Sequence, residues 1–175
     1  LSPSSYNLQP WEFIVVRGKE SKKRLRTCAN NQRHVEEASA VVIVLGNTDP
    51  SSRAEEIAAD RVRKGLMNEA KKAAFFAAVK RLSEDKVHAR IWAVRSTVLA
   101  TMTLMLAAKN MGLASCPMEG FDPECVKEEF NIPEHYEVVM LITLGYESKQ
   151  PPERPMRYGF KDIVHFEAFG NKPSL

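Results

Sequence analysis

The sequence predicts an α+β fold: a mixed sheet built around residues 13–17, 41–45 and 138–144, covered by helices, with one long helix over 86–111 running through the core. Three observations predict it. Helical and strand periodicities alternate along the chain, while the strands are few and differ in character. Residues 41–45 form an unbroken apolar run, the pattern of a strand buried on both faces. Between Ile91 and Ala108, eighteen residues carry one formal charge, Arg95, and apolar side chains fall on every side of a helical wheel.

That last stretch is long enough to cross a bilayer. Arg95, Ser96, Thr97, Thr101 and Thr103 are too many polar groups for a lone span, so a soluble, buried core helix is the expectation. Lys109 and Asn110 mark its last turn, and Gly112 supplies the residue without Cβ that a left-handed cap prefers. Ala93, Thr97, Ala100 and Ala107 lie on one side and would let another helix approach closely, including one from a second subunit.

A chain of 175 residues supports a single domain over 1–175. A net charge of +3, with no clustered basic and aromatic stretch, points to neither nucleic acid nor membrane as a partner. Cys28, Cys116 and Cys125 are odd in number and have neither CxxC nor zinc spacing, so three free thiols, no metal and a reducing cytoplasm are expected.

In chain order, Pro3, Ser4, Ser5, Asn7, Gln9 and Pro10 form a polar loop leading into a first β-branched strand. Turn formation explains these residues, and a polar planar ligand would suit them equally. Arg17, Lys19, Lys22, Lys23, Arg24 and Arg26 read as the solvated face of a short helix with Ser21 as its N-cap. Asn30, Asn31 and Gln32 precede the buried strand, where as loop residues their amides would satisfy nearby backbone groups. From Asp49 to Leu82 the composition turns to alanine and charged residues, with Phe75, Phe76, Val79 and Leu82 as an amphipathic stripe. Ser51 and Ser52 signal a helix start there, and Gly65 separates two helices. Glu119-Gly120-Phe121 reads as a turn before a helix over 123–130 capped by Asp122, with Gly120 allowing close approach to a ligand. A proline-containing crossing segment over 147–153 precedes Arg154, Arg157 and Lys161.

Several active-site types are absent. There is no GxGxxG, Walker A loop or nucleophile elbow, and His34, His88, His135 and His165 lack metal spacing. Cys116 paired with a histidine is the remaining nucleophile, and an apolar strand end explains that cysteine better.

The segment SPSSYNLQPWEF resembles the signature loop of the FMN-dependent nitroreductase family. NNQRHVEEASAVVIVLGN, GLASCPMEGFD, IPEHYEVVMLITLGY and RPMRYGFKDIVHFE follow in the family's order. The resemblance implies a nitroreductase-like, mainly antiparallel sheet and an FMN-dependent oxidoreductase. It would pass hydride from NADH or NADPH to nitroaromatic or quinone acceptors by a ping-pong cycle. It also implies a homodimer with two flavin sites at the interface.

Carried over residue by residue, the flavin would be held by Pro3, Ser4, Ser5, Asn7 and Gln9 of one subunit. Asn31 of the other would face its pyrimidine edge, Gln32 would be a further cofactor-binding residue, and Pro117, Met118, Glu119 and Gly120 would lie beside the ring with N–H groups near N5. Arg157 would meet the phosphate, with Arg154 as a substitute for the family's lysine. No side chain is assigned a catalytic role, since the flavin carries the chemistry. Residues 49–82 would form the variable lid that sets substrate choice. Related readings are a flavin-binding protein without turnover, and same-fold chemistry such as dehalogenation or flavin fragmentation. The family's phosphate-binding arginines lie upstream of the serine loop, where this sequence begins. Residues 1–175 alone are therefore expected to bind FMN weakly.

Overall fold

A computed structural model describes residues 2–147 and 153–173. Four strands form one sheet in the order β1-β2-β4-β3: β1 (Trp11–Val16), β2 (Ala40–Asn47), β3 (Ala114–Met118) and β4 (Tyr136–Gly145). Every pairing among the described strands is antiparallel. The architecture is α+β, as the sequence predicts. The fourth strand, β3, is missing from the expected sheet although Cys116 reads as lying at a strand end, because five residues interrupted by Pro117 carry little strand signal.

Helices cover both faces. On one lie α1 (Lys19–Cys28), α2 (Arg33–Glu37) and α6 (Pro123–Phe130), packed over Val41, Ile43, Leu45, Val138 and Leu141. On the other lies α5 (Lys86–Asn110), whose Leu104 and Met105 pack with Val42, Val44 and Ile142. The alternation of β2 side chains between these layers makes it the doubly buried strand. A register shift between Val44 and Leu45 leaves Val139 unpaired, so Val138 and Leu141 reach the same face although three positions apart. A third cluster joins α3 (Ala54–Arg63), α4 (Glu69–Glu84) and the first half of α5 to Leu8. The short α7 (Phe160–Ile163) lies in an exposed tail.

Local signals hold in most places. Asp122 caps α6, accepting from the N–H groups of Glu124 and Cys125 at 3.0 and 3.2 Å. Gly112 ends α5 with φ +78°, and Gly65, between α3 and α4, has φ +68°. Other expectations need correction. Ser21 lies inside α1, which starts after Gly18, and Ser51 and Ser52 form a turn before α3 rather than its first residues. The crossing segment of 147–153 lies mostly outside the described residues.

The largest correction concerns α5, expected to be buried all round. One face is buried, through Ala89, Trp92, Ala93, Ser96, Thr97, Ala100, Thr101 and Ala108. The opposite face leaves Leu99 and Met102 48% exposed and Leu106 60% exposed. Ala93 and Thr97 do permit a close approach, and the neighbour is the chain's own sheet. A Cβ on Gly46 would stand 3.1 Å from Thr97 Oγ1 and 3.3 Å from Val139 Cγ2. Ala107 is exposed.

Cys28 and Cys125 form a disulfide, with Cα atoms 5.5 Å apart, leaving only Cys116 as a free, exposed thiol among the described cysteines. This overturns the expectation of three thiols. Packing of α1 beside α6 brings together two cysteines 97 residues apart in sequence.

Candidate functional site

Four segments carry the predicted ligand residues. The first is the serine loop. Residues Ser5–Asn7 form a single 3₁₀ turn, and Ser4 Oγ accepts the Gln9 N–H at 3.0 Å. Tyr6, Asn7 and Gln9 have φ of +57°, +62° and +46°. Left-handed backbone is costly for tyrosine and glutamine, so surrounding contacts must hold it there. Leu8 supplies one, buried against α4 and α5, and Arg53 supplies another by donating to the Gln9 carbonyl. Pro3, Ser5 and Asn7 remain exposed.

The second segment joins α1 to α2. Asn30 and Asn31 both adopt left-handed backbone, which asparagine tolerates better than most residues, and the Asn31 N–H reaches back to the Arg26 carbonyl at 3.0 Å. Arg26 also donates from Nε to the Asn31 carbonyl at 3.1 Å and from Nη1 to Glu36 at 2.8 Å. This hydrogen bond holds the Glu36 carboxyl below its ordinary range. The result is a braced loop with the Asn31 side chain exposed.

The third segment is the turn after β3. The Phe121 N–H closes it on the Glu119 carbonyl at 3.0 Å. The Gly120 carbonyl accepts from Asn30 Nδ2 at 3.1 Å and from Gln32 Nε2 at 2.7 Å. A Cβ on Gly120 would meet Gln32 Nε2 at 3.1 Å, so the glycine makes room for this amide rather than for a ligand. The backbone N–H groups of Glu119 and Gly120 find no acceptor among the described residues. Beside them, Pro117, Met118 and Glu119 form one wall of a groove of about 300 Å³, and Val98, Thr101, Met102 and Met105 of α5, with Met140, form the rest. His34 Nε2 lies 3.1 Å from Met118 Sδ on the far side of the strand.

The second and third segments are brought together within the chain; the serine loop is not. It feeds β1, at the opposite edge of the sheet from β3. Three strand spacings amount to about 14 Å. Along α5, Leu8 shares a cluster with Trp92, while the α5 wall of the groove runs from Val98 to Met105, six to thirteen residues or about 9 to 20 Å further on. Arg154 and Arg157 stand on an exposed segment, where Arg157 Nη1 folds back onto the Pro155 and Met156 carbonyls at 3.0 and 3.1 Å. No described contact joins them to the groove.

This arrangement fits a flat aromatic ring with acceptor atoms on one edge. The groove is mostly apolar, and unpaired N–H groups stand at its rim. The family model described as "Nitroreductase family" matches residues 1–146. The chain belongs to the nitroreductase family. "Putative NAD(P)H nitroreductase YodC" of Bacillus subtilis is 36% identical over 144 residues, covering 82% of this chain and 71% of YodC. The solved structure of the nitroreductase ydfN from Bacillus subtilis superposes with a TM-score of 0.87 at 33% identity, covering 95% of this chain and 82% of that one. A nitroreductase of Exiguobacterium sibiricum, solved in complex with FMN, gives 0.83 at 30% identity, covering 95% and 80%. These likenesses support an oxidoreductase, and FMN and NAD(P)H appear in the names of the relatives and solved structures.

Sequence reasoning missed the α5 wall of the groove and Asn30. The first had a signal: Val98, Thr101, Met102 and Met105 follow the i, i+3, i+4, i+7 spacing of one helical face. Asn30 had none, since its acceptor lies 90 residues on.

Proposed function

We propose that this protein is an FMN-dependent oxidoreductase that passes hydride from NADH or NADPH to nitroaromatic or quinone acceptors in a ping-pong cycle, and that it works as a homodimer. The observation that carries the reading is the pair of unpaired Glu119 and Gly120 N–H groups at the rim of the apolar groove. Pro117 and Met118 would flank the ring, Asn31 would meet its pyrimidine edge, and Arg157, with Arg154, would meet the phosphate once turned from local carbonyls. The chemistry such a ring supplies is reversible hydride uptake at N5. The chain's part is to bind it, orient it and leave one face open to alternating partners.

Dimerisation is supported by two features. The serine loop lies at the sheet edge opposite the groove, and no described hydrogen bond joins the two, so Pro3, Ser4, Ser5, Asn7 and Gln9 would complete the site of a second copy. The apolar face of α5 and the exposed Met156, Tyr158, Phe160, Ile163, Phe166 and Phe169 offer self-complementary surface of the kind an obligate interface buries. Residues of α3 and α4 would form the lid. We place the enzyme in the cytoplasm, where the Cys28–Cys125 pair would face a reducing thiol pool.

Anaerobic addition of NADH and, separately, of NADPH to the FMN-loaded protein tests the reading. Bleaching of the flavin absorbance, followed by its return with a quinone, is the expected result. Flavin that binds yet resists both nicotinamides would leave a binding protein without turnover.

A further inference from the structure

We propose that Asn30 and Gln32 are positioning residues: through the Gly120 carbonyl, their side-chain amides aim the Glu119 and Gly120 N–H groups at the flavin edge. The inference rests on the flavin reading above and assigns these two side chains work behind the ring rather than on it. Gln32, expected from the resemblance as a direct ligand, has its amide nitrogen committed 2.7 Å from the Gly120 oxygen, and Asn30 adds a second donor at 3.1 Å.

A turn centred on glycine is otherwise free to rotate its peptide planes, since no Cβ restricts it. Fixing the Gly120 carbonyl fixes the plane that follows this residue, and the Phe121 N–H on the Glu119 carbonyl closes the turn around it. The N–H groups on the preceding planes then have a set direction. Two more links join the same segments: the Asp122 N–H donates to the Cys28 carbonyl at 2.8 Å, and Cys28 is bonded to Cys125. The amides therefore act on a scaffold already held in register, which suits fine orientation rather than gross folding.

An N–H aimed at N5 favours the oxidised ring, where that nitrogen is an acceptor, over the reduced ring, where it carries its own hydrogen. Loss of aim should weaken binding of oxidised FMN more than reduced FMN. A tenfold difference corresponds to a rise of about 30 mV in the two-electron midpoint.

The test compares wild type with Gln32→Met, which keeps length and loses the donor, and with Asn30→Gly/Gln32→Met, in which glycine keeps the left-handed backbone. FMN dissociation constants and midpoint potentials are measured, and amide hydrogen exchange is followed in the flavin-free proteins. Expected are a dissociation constant raised about tenfold in the double variant, a midpoint raised by about 30 mV, and faster exchange at Phe121 with Asp122 unchanged. An unchanged midpoint with FMN bound would overturn the proposal, as would unchanged exchange at Phe121. Wild type that takes no flavin even at FMN concentrations high enough to offset weak binding would instead remove the functional reading, and the exchange arm would still report whether the amides hold the turn.

Discussion

At the scale of single residues, charge pairing sets a pH dependence that can be read in advance. Arg90 Nη2 lies 2.6 Å from Glu137 Oε1, and this hydrogen bond holds the Glu137 carboxyl below its ordinary range. A depressed carboxylate adds stability above the unfolded value, near pH 4.3, and loses it as pH falls through the folded value. Glu137→Gln should therefore flatten the acid limb of a urea-midpoint profile between pH 7 and 3, with the difference from wild type shrinking toward pH 3. Parallel profiles would mean that the pair contributes nothing. Signals at this scale were legible where the chemistry is local: Asp122 before a proline-started helix, or Gly112 after a charged last turn, needs only its neighbours. The tether of Asn30 and Gln32 to Gly120 was not, because each amide's partner is about ninety residues away and only the folded sheet supplies it.

At the scale of elements, the same distinction separates what periodicity tells from what it leaves open. The doubly buried β2 and the long α5 follow from apolar patterns alone. Whether both faces of α5 meet the same chain does not, since a wheel apolar all round records only that something covers each side. The α1–α6 contact was likewise hidden, and with it the disulfide. Closing a loop between cysteines 97 residues apart should stabilise the fold by about 2–4 kcal/mol through the unfolded chain. For a domain of this size the reduced protein, or Cys28→Ser/Cys125→Ser, should melt about 5–15 °C lower. Calorimetry with and without a phosphine reductant measures this. Identical melting, with three thiols titrating in the unfolded untreated protein, would show that the bond does not form in solution.

At the scale of the whole molecule, the sheet order is what gives the site its meaning. The order β1-β2-β4-β3 puts the serine loop and the Glu119–Gly120 turn at opposite edges, and α5 runs between them with its outer face exposed. Membership of the family was legible from five motifs in register, whereas the division of the site was legible only as an implication of the resemblance. The topology supports the proposed division without showing it in a dimer. Two copies meeting across α5 would bury the apolar face and bring one chain's loop over the other's groove.

Mixing two defective variants tests that claim most directly. Ser4→Ala/Asn7→Ala removes polar groups of the loop, and Asn30→Gly/Gln32→Met loosens the turn, so each homodimer carries a defect in both sites. After unfolding and refolding together, half the dimers should be hybrids, each with one intact site and one doubly defective site. FMN titration should then recover about one tight site in four chains. Recovery of none, with each parent binding FMN as weakly as before, would place the whole site within a single chain and contradict the account.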